Sequence, residues 1–209
     1  MKRSALLVVD VQNDFCEPEG SLAVPGSLKI IPIINQLKAD NHYACVYLAC
    51  DAHPPDHFSF ASNHPGKAPF EKIEIDGTAF DLWPAHCVKG TQGAQFHPLL
   101  NVNERDVIIE KGTLRHRECY SAFGSQEEDT NILSDLKSRQ IDSLDIVGLA
   151  LDYCVKETAR DAIQNGFSVR VIEDATAAVG NSLIVQSAKD TLTRLGVQFL
   201  LSSQLNEGS

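Results

Sequence analysis

The stretch LDIVGLALDYCVKETARDAIQ, Leu144 to Gln164, holds a strand, a tight turn and a helix in immediate succession. Leu144 to Leu149 is a near-continuous apolar run, the signature of a strand covered on both faces in a parallel sheet. Val155 to Gln164 has the helical period, and the turn between them carries Asp152 and Cys154. Working outward, similar apolar runs recur at Ala5 to Val11, Ala44 to Ala49, Val107 to Glu110, Val169 to Ile172 and Val197 to Leu201. Helix-period segments lie between them at Ser27 to Asp40, Thr130 to Gln140 and Leu183 to Arg194. Strands alternating with helices predict an α/β fold: a doubly wound, mainly parallel sheet of about six strands with helices on both faces.

One region interrupts this rhythm. Residues 53–103 are rich in Pro, Gly, His and aromatic residues and show neither period. Irregular segments of that length in compact domains tend to be functional loops, so this one reads as a binding insertion over one sheet edge. With 209 residues and no repeat or linker, the chain reads as one domain over 1–209.

Composition removes several classes of function. A net charge of -10 opposes a phosphate backbone, and the 18 Lys and Arg residues form no long basic run, so no nucleic-acid partner is expected. The same acidity disfavours an anionic membrane surface, and no apolar stretch approaches the roughly 20 residues needed to span a bilayer. The apolar N-terminal run breaks at Asp10, before any small-residue cleavage site, which points to a buried first strand in a cytoplasmic protein. The six cysteines form neither a CxxC pair nor a dense framework, so reduced thiols are expected, with Cys45 read as a small core residue.

Open α/β sheets bind ligands outside the carboxyl ends of their strands. Asp10 and Asp14 follow the first strand, Asp51 and His53 the second, Lys111 the third, Asp152 and Cys154 the fourth. A cysteine at a strand-to-helix turn meets a helix N-terminus, which favours a thiolate and offers N–H groups to an oxyanion. A buried structural cysteine fits the local pattern equally well. Asp10 and Lys111 would supply an acid/base partner and a cation to that thiol. Asp51 and His53, two apart in extended chain, point the same way and would grip a cation with a further histidine; His57, His64 and His86 are the candidates. Phe15 and Trp83 lie in loops at the same rim, where they either pack those loops or stack on an aromatic substrate.

Five segments together resemble the nicotinamidases of the isochorismatase-like hydrolase family: ALLVVDVQNDFCEPEGSLAVPGS, DAHPPDHFSFASNH, LWPAHCVKGTQGAQFHPLL, IEKGT followed by CYSAF, and GLALDYCVKETARDA. The resemblance implies a catalytic triad of Asp10, Lys111 and Cys154. It implies an oxyanion hole from the backbone N–H groups of Ala150 and Cys154, with a cis peptide before Ala150. It selects Asp51, His53 and His86 as ligands of one divalent metal ion, with His57 as an additional member of the metal shell in some relatives. Zinc is the expected metal, with iron and manganese as alternatives. Phe15 and Trp83 are implied to wall the pyridine pocket, with Tyr120 near its mouth. The implied reaction is hydrolysis of nicotinamide to nicotinate and ammonia through a cysteine thioester, feeding NAD salvage, with pyrazinamide as a second substrate. A homo-oligomer is compatible with the resemblance. The sequence departs from it at Leu151, where nicotinamidases usually carry threonine.

Overall fold

The computed structural model describes residues 3–40, 42–75 and 77–208. Strands β1 (Ser4–Val9), β2 (Cys45–Asp51), β5 (Val107–Lys111), β6 (Ser143–Gly148), β7 (Ser168–Thr176) and β8 (Gln198–Leu200) form one sheet in the order β5-β2-β1-β6-β7-β8. Every pairing in it is parallel. Each strand overlaps one of the apolar runs; β1, β2 and β6 are buried along most of their length, as strands covered on both faces must be, while the edge strands β5 and β8 are only partly covered.

Side chains alternate across β1. Ala5, Leu7 and Val9 enter one core, with Ile132 and Leu136 of α3 (Ile132–Ser138), Val155, Ala159 and Ala162 of α4 (Cys154–Gln164) and Leu192 of α5 (Ser182–Arg194). Leu6 and Val8 enter the other, with Ile30, Ile31, Ile34 and Leu37 of α2 (Ser27–Ala39). Helices on both faces make the sheet doubly wound. A large-to-alanine change at such a position costs about 2–5 kcal/mol, so the two cores hold the strand ends in a rigid frame.

The order reverses at β1, whose neighbours β2 and β6 leave in opposite directions, and a crevice opens there at the carboxyl ends. Residues 53–103 roof that crevice. They hold more regular structure than the sequence predicts: a hairpin of β3 (Lys72–Ile75) and β4 (Thr78–Asp81) stands apart from the main sheet. Its strands are mostly exposed, so they lack the apolar runs that mark the others. Isolated bridges from His53 to Val88 and from Phe60 to Trp83 tie the roof to itself, and one from Gln12 to Phe96 joins it to the chain after β1, so that Trp83 and His86 line the crevice. Among the described residues no helix is long and apolar enough to cross a membrane.

Candidate active site

Asp51 and Lys111 end adjacent parallel strands in direct register, and Asp10 follows β1 beside them. Their side chains therefore converge with Cys154, the first residue of α4. Lys111 Nζ lies 2.5 Å from Asp51 Oδ1, 2.9 Å from Asp10 Oδ2 and 3.3 Å from Cys154 Sγ. Lys111 is 0% exposed, a burial that an ammonium tolerates only when ion-paired. Burial alone would lower its pKa, but the carboxylates of Asp10 and then Asp51 hold it protonated.

Two carboxylates share that single ammonium, and they divide unequally. Burial, followed by the Asp51 charge, pushes the Asp10 carboxyl up to about 7 against the opposing pull of Lys111. Asp51 is buried too, yet Lys111 and then His53 hold it well below the usual carboxylate range. The Cys154 thiol corrects the expectation of a helix-stabilised thiolate. Burial, then the nearby Asp10 carboxylate, raises it well above a free thiol despite Lys111. A thiol so placed reacts only if a neighbour removes its proton, and Asp10 is that neighbour in space: donor-type atoms of Asp10, Asp51 and Cys154 all lie within 4.8 Å of one another.

The turn before Cys154 has a cis peptide between Leu149 and Ala150. The Ala150 carbonyl accepts hydrogen bonds from the amides of Tyr153, 3.0 Å, and Val155, 3.1 Å, on either side of Cys154. Leu151, the departure from threonine, is buried in the core, and its amide donates to the Ala177 carbonyl at 2.8 Å. Asp152 accepts from the amides of Val179 and Gly180 at 3.1 and 2.7 Å. Main-chain and Asp152 bonds thus hold this turn without a hydroxyl at position 151.

Asp51, His53 and His86 also place their donor atoms within 4.8 Å of one another, all three buried. His53 Nδ1 donates to the Gly112 carbonyl and His86 Nδ1 to the Pro84 carbonyl, each at 2.8 Å. Both rings therefore turn Nε2 toward Asp51 Oδ2, at 3.5 and 4.0 Å. Burial, then the His53 charge, pushes His86 down to about 4, so it stands neutral, the form in which imidazole ligates. Two oriented imidazoles and an ionised carboxylate fit a divalent metal ion with coordination positions left open. Gln12 clamps this corner: its amide donates to the Asp51 carbonyl and accepts from the Asp51 amide, both at 2.8 Å.

The other histidine candidates stand apart from this set. His57 stacks near His53 with ring centroids 4.5 Å apart, but its Nδ1 meets Ser59 Oγ at 2.8 Å and its Nε2 donates to the Arg117 carbonyl at 3.0 Å. Both its nitrogens are engaged within the chain. His64 Nε2 bonds the Phe58 carbonyl at 2.5 Å. Asp14, at the rim by sequence, instead ties loops together by accepting from the Cys87 amide at 2.7 Å.

Asp10, Asp51, His53, His86 and Cys154 line one cavity of roughly 480 Å³, solvent at its mouth included. Phe15, Trp83 and Tyr120 all face it, with Trp83 Nε1 donating to the Tyr120 hydroxyl at 3.3 Å. Glu118 and Tyr153 line it as well and were not singled out from the sequence. Tyr153 sits edge-on to Trp83 at 5.2 Å, and its place next to Cys154 was the available signal. Glu118 lies in a segment with no periodic pattern to mark it. The cavity therefore has a polar end, with thiol, carboxylate and imidazoles, and an aromatic end lined by Trp83, Tyr120 and Tyr153.

Residues 4–203 match the family described as the isochorismatase domain. The chain is 43% identical over 203 residues to a nicotinamidase of Acinetobacter baylyi, covering 96% of this chain and 94% of that protein. Its fold superposes on the nicotinamidase/pyrazinamidase of Acinetobacter baumannii with a TM-score of 0.91 at 45% identity, covering 98% and 99% of the two chains. It superposes on the pyrazinamidase of Pyrococcus horikoshii, solved in complex with zinc, with a TM-score of 0.80 at 33% identity, covering 95% and 99%. With the strand order, the cysteine turn and the sequence match spanning nearly the whole chain, this protein belongs to the isochorismatase domain family.

Proposed function

We propose that this chain is a nicotinamidase, hydrolysing nicotinamide to nicotinate and ammonia, with pyrazinamide as a second substrate. The observation that carries the reading is the contact of Lys111 with Asp10, Asp51 and Cys154 at the polar end of an aromatic-walled cavity.

Asp10 takes the proton of Cys154, and the thiolate attacks the carboxamide carbon. The backbone N–H groups of Ala150 and Cys154 hold the resulting oxyanion. Lys111 balances the negative charge that moves between Asp10 and the sulfur. Protonated Asp10 then gives its proton to the departing amine, releasing ammonia and leaving a thioester on Cys154. A water deprotonated by Asp10 attacks that thioester, releasing nicotinate and returning the thiol. Phe15 and Trp83 sandwich the ring during both halves.

Asp51, His53 and His86 would hold one divalent metal ion, with zinc the favoured occupant. When bound, that ion supplies Lewis acidity at the polar end of the cavity, for a ring nitrogen or a water. Unpaired cysteines and no disulfide among the described residues support a reducing cytoplasm, and with it recycling of nicotinamide toward NAD.

The test is ammonia release from nicotinamide, benzamide and a carbamoyl amine, before and after chelation. Turnover of nicotinamide far above the other two, lost on chelation and restored by zinc, is expected. Preference for the carbamoyl amine would overturn the reading.

A further inference from the structure

One peptide group links a buried carboxylate to a metal-binding imidazole. Glu128, 7% exposed, accepts from the Thr113 amide at 2.7 Å, the Thr113 hydroxyl at 2.6 Å and the Gly112 amide at 3.0 Å. The Thr113 amide belongs to the same peptide unit as the Gly112 carbonyl, and that carbonyl takes the Nδ1–H of His53 at 2.8 Å. The group is thus gripped at its N–H by a carboxylate and at its C=O by an imidazole.

We propose that Glu128 is a positioning residue for the metal site, acting on His53 through the Gly112–Thr113 peptide. Hydrogen bonds in series polarise one another, so a carboxylate on the N–H makes the carbonyl a stronger acceptor. A stronger acceptor at Nδ1 fixes the ring tautomer and raises the basicity of Nε2, as a directly bonded carboxylate does in other metal-binding histidines. Here the carboxylate acts one peptide away. Position 112 also requires glycine: its φ is +66°, and a Cβ would stand 2.4 Å from His53 Cε1. The peptide therefore packs flush against the ring it orients. Glu128 is built for this task from its own side. The Ser125 amide donates to the Glu128 carbonyl at 2.9 Å and the Glu128 amide to Ser125 Oγ at 3.2 Å, closing a loop that aims the carboxylate at residues 112 and 113.

The inference rests on Asp51, His53 and His86 holding a divalent ion, and the experiment separates the two. Zinc alone is titrated into the metal-free full-length chain against a chromogenic chelator, for wild type, His53→Ala, Glu128→Gln and Glu128→Asp. The thermal midpoint of each metal-free protein is measured in parallel. Wild type binding zinc and His53→Ala losing it is required by the site itself; failure there overturns the site, not the relay alone. Given that, Glu128→Gln is expected to weaken zinc binding about 10- to 100-fold, and Glu128→Asp by less. If Glu128→Gln does not fold, Glu128→Asp carries the test alone. A lowered midpoint with unchanged zinc affinity would mean that Glu128 only holds its loop, and would overturn the proposal.

Discussion

The Lys111 ammonium lies 2.9 Å from an Asp10 carboxylate oxygen, yet neither oxygen of Asp10 receives an aligned hydrogen bond among the described residues. Asp10 is 1% exposed and lines the cavity, so this carboxylate faces the thiol and the ammonium rather than bulk water. That arrangement suits a carboxylate that must accept and return a proton.

Lys111→Met removes the cation that Asp10 and Asp51 share. Breaking a buried ion pair from one side costs about 3–5 kcal/mol. The variant is expected to lose stability on that scale in denaturant melts and to lose its amidase activity. Wild-type stability would mean that the buried charges are compensated elsewhere.

The raised Asp10 carboxyl gives the expected pH dependence. Burial, then the Asp51 charge, pushes this carboxyl up to about 7 in the folded chain from an ordinary value of 3.8. The folded state therefore holds this proton more tightly, so its contribution to stability is present below 3.8 and is lost as pH rises through about 7. Activity runs the opposite way, since the base must be free: kcat/KM should fall on the acid side with an inflection no higher than about 7. A cation on Asp51 cancels part of the upward push and moves the inflection lower. Asp10→Asn should remove this acid limb along with about 10²- to 10⁴-fold of activity. An unchanged limb in that variant would assign it to another group.

Gly112→Ala forces a side chain into a left-handed backbone and against the His53 ring. A loss of about 1–3 kcal/mol is expected, together with weaker zinc binding. Gly66→Ala shares the positive φ, +78°, but its Cβ would meet nothing within 4 Å. It should cost stability without touching zinc affinity; equal effects of the two on zinc would contradict the packing argument.

Trp83→Ala strips one wall from the aromatic end of the cavity. KM for nicotinamide is expected to rise about tenfold, equivalent to about 1.4 kcal/mol of binding, with a smaller change in kcat. A fall in kcat at constant KM would place Trp83 in the chemistry instead of the binding.

The parts of this structure that a reader can find in the sequence are those marked by burial. All six strands of the main sheet are apolar runs, so β1 and β6, and with them the positions of Asp10 and Cys154, are visible directly. The hairpin was missed because its exposed strands carry no such run, although Asp76-Gly77 between alternating residues is a hairpin signal; Asp76 itself lies outside the described residues. Periodicity could not choose between His57, His64 and His86, since the choice depends on where the fold places each ring and which of its nitrogens are engaged. The state of the Cys154 thiol was hidden for a related reason. A helix N-terminus is local and legible, whereas the burial and the Asp10 carboxylate that outweigh it come from distant chain. Gln12 and Glu128 are polar residues whose partners lie far away in sequence, and nothing local distinguishes them from solvated side chains.

Under the proposed function, Cys154 performs the hydrolysis of nicotinamide. Ammonia release should be measured on zinc-loaded wild type and Cys154→Ala at matched concentration, with thermal melts to verify folding. Robust release by wild type and none above background by a folded Cys154→Ala is the predicted result. Release by Cys154→Ala at a rate near that of wild type would contradict it.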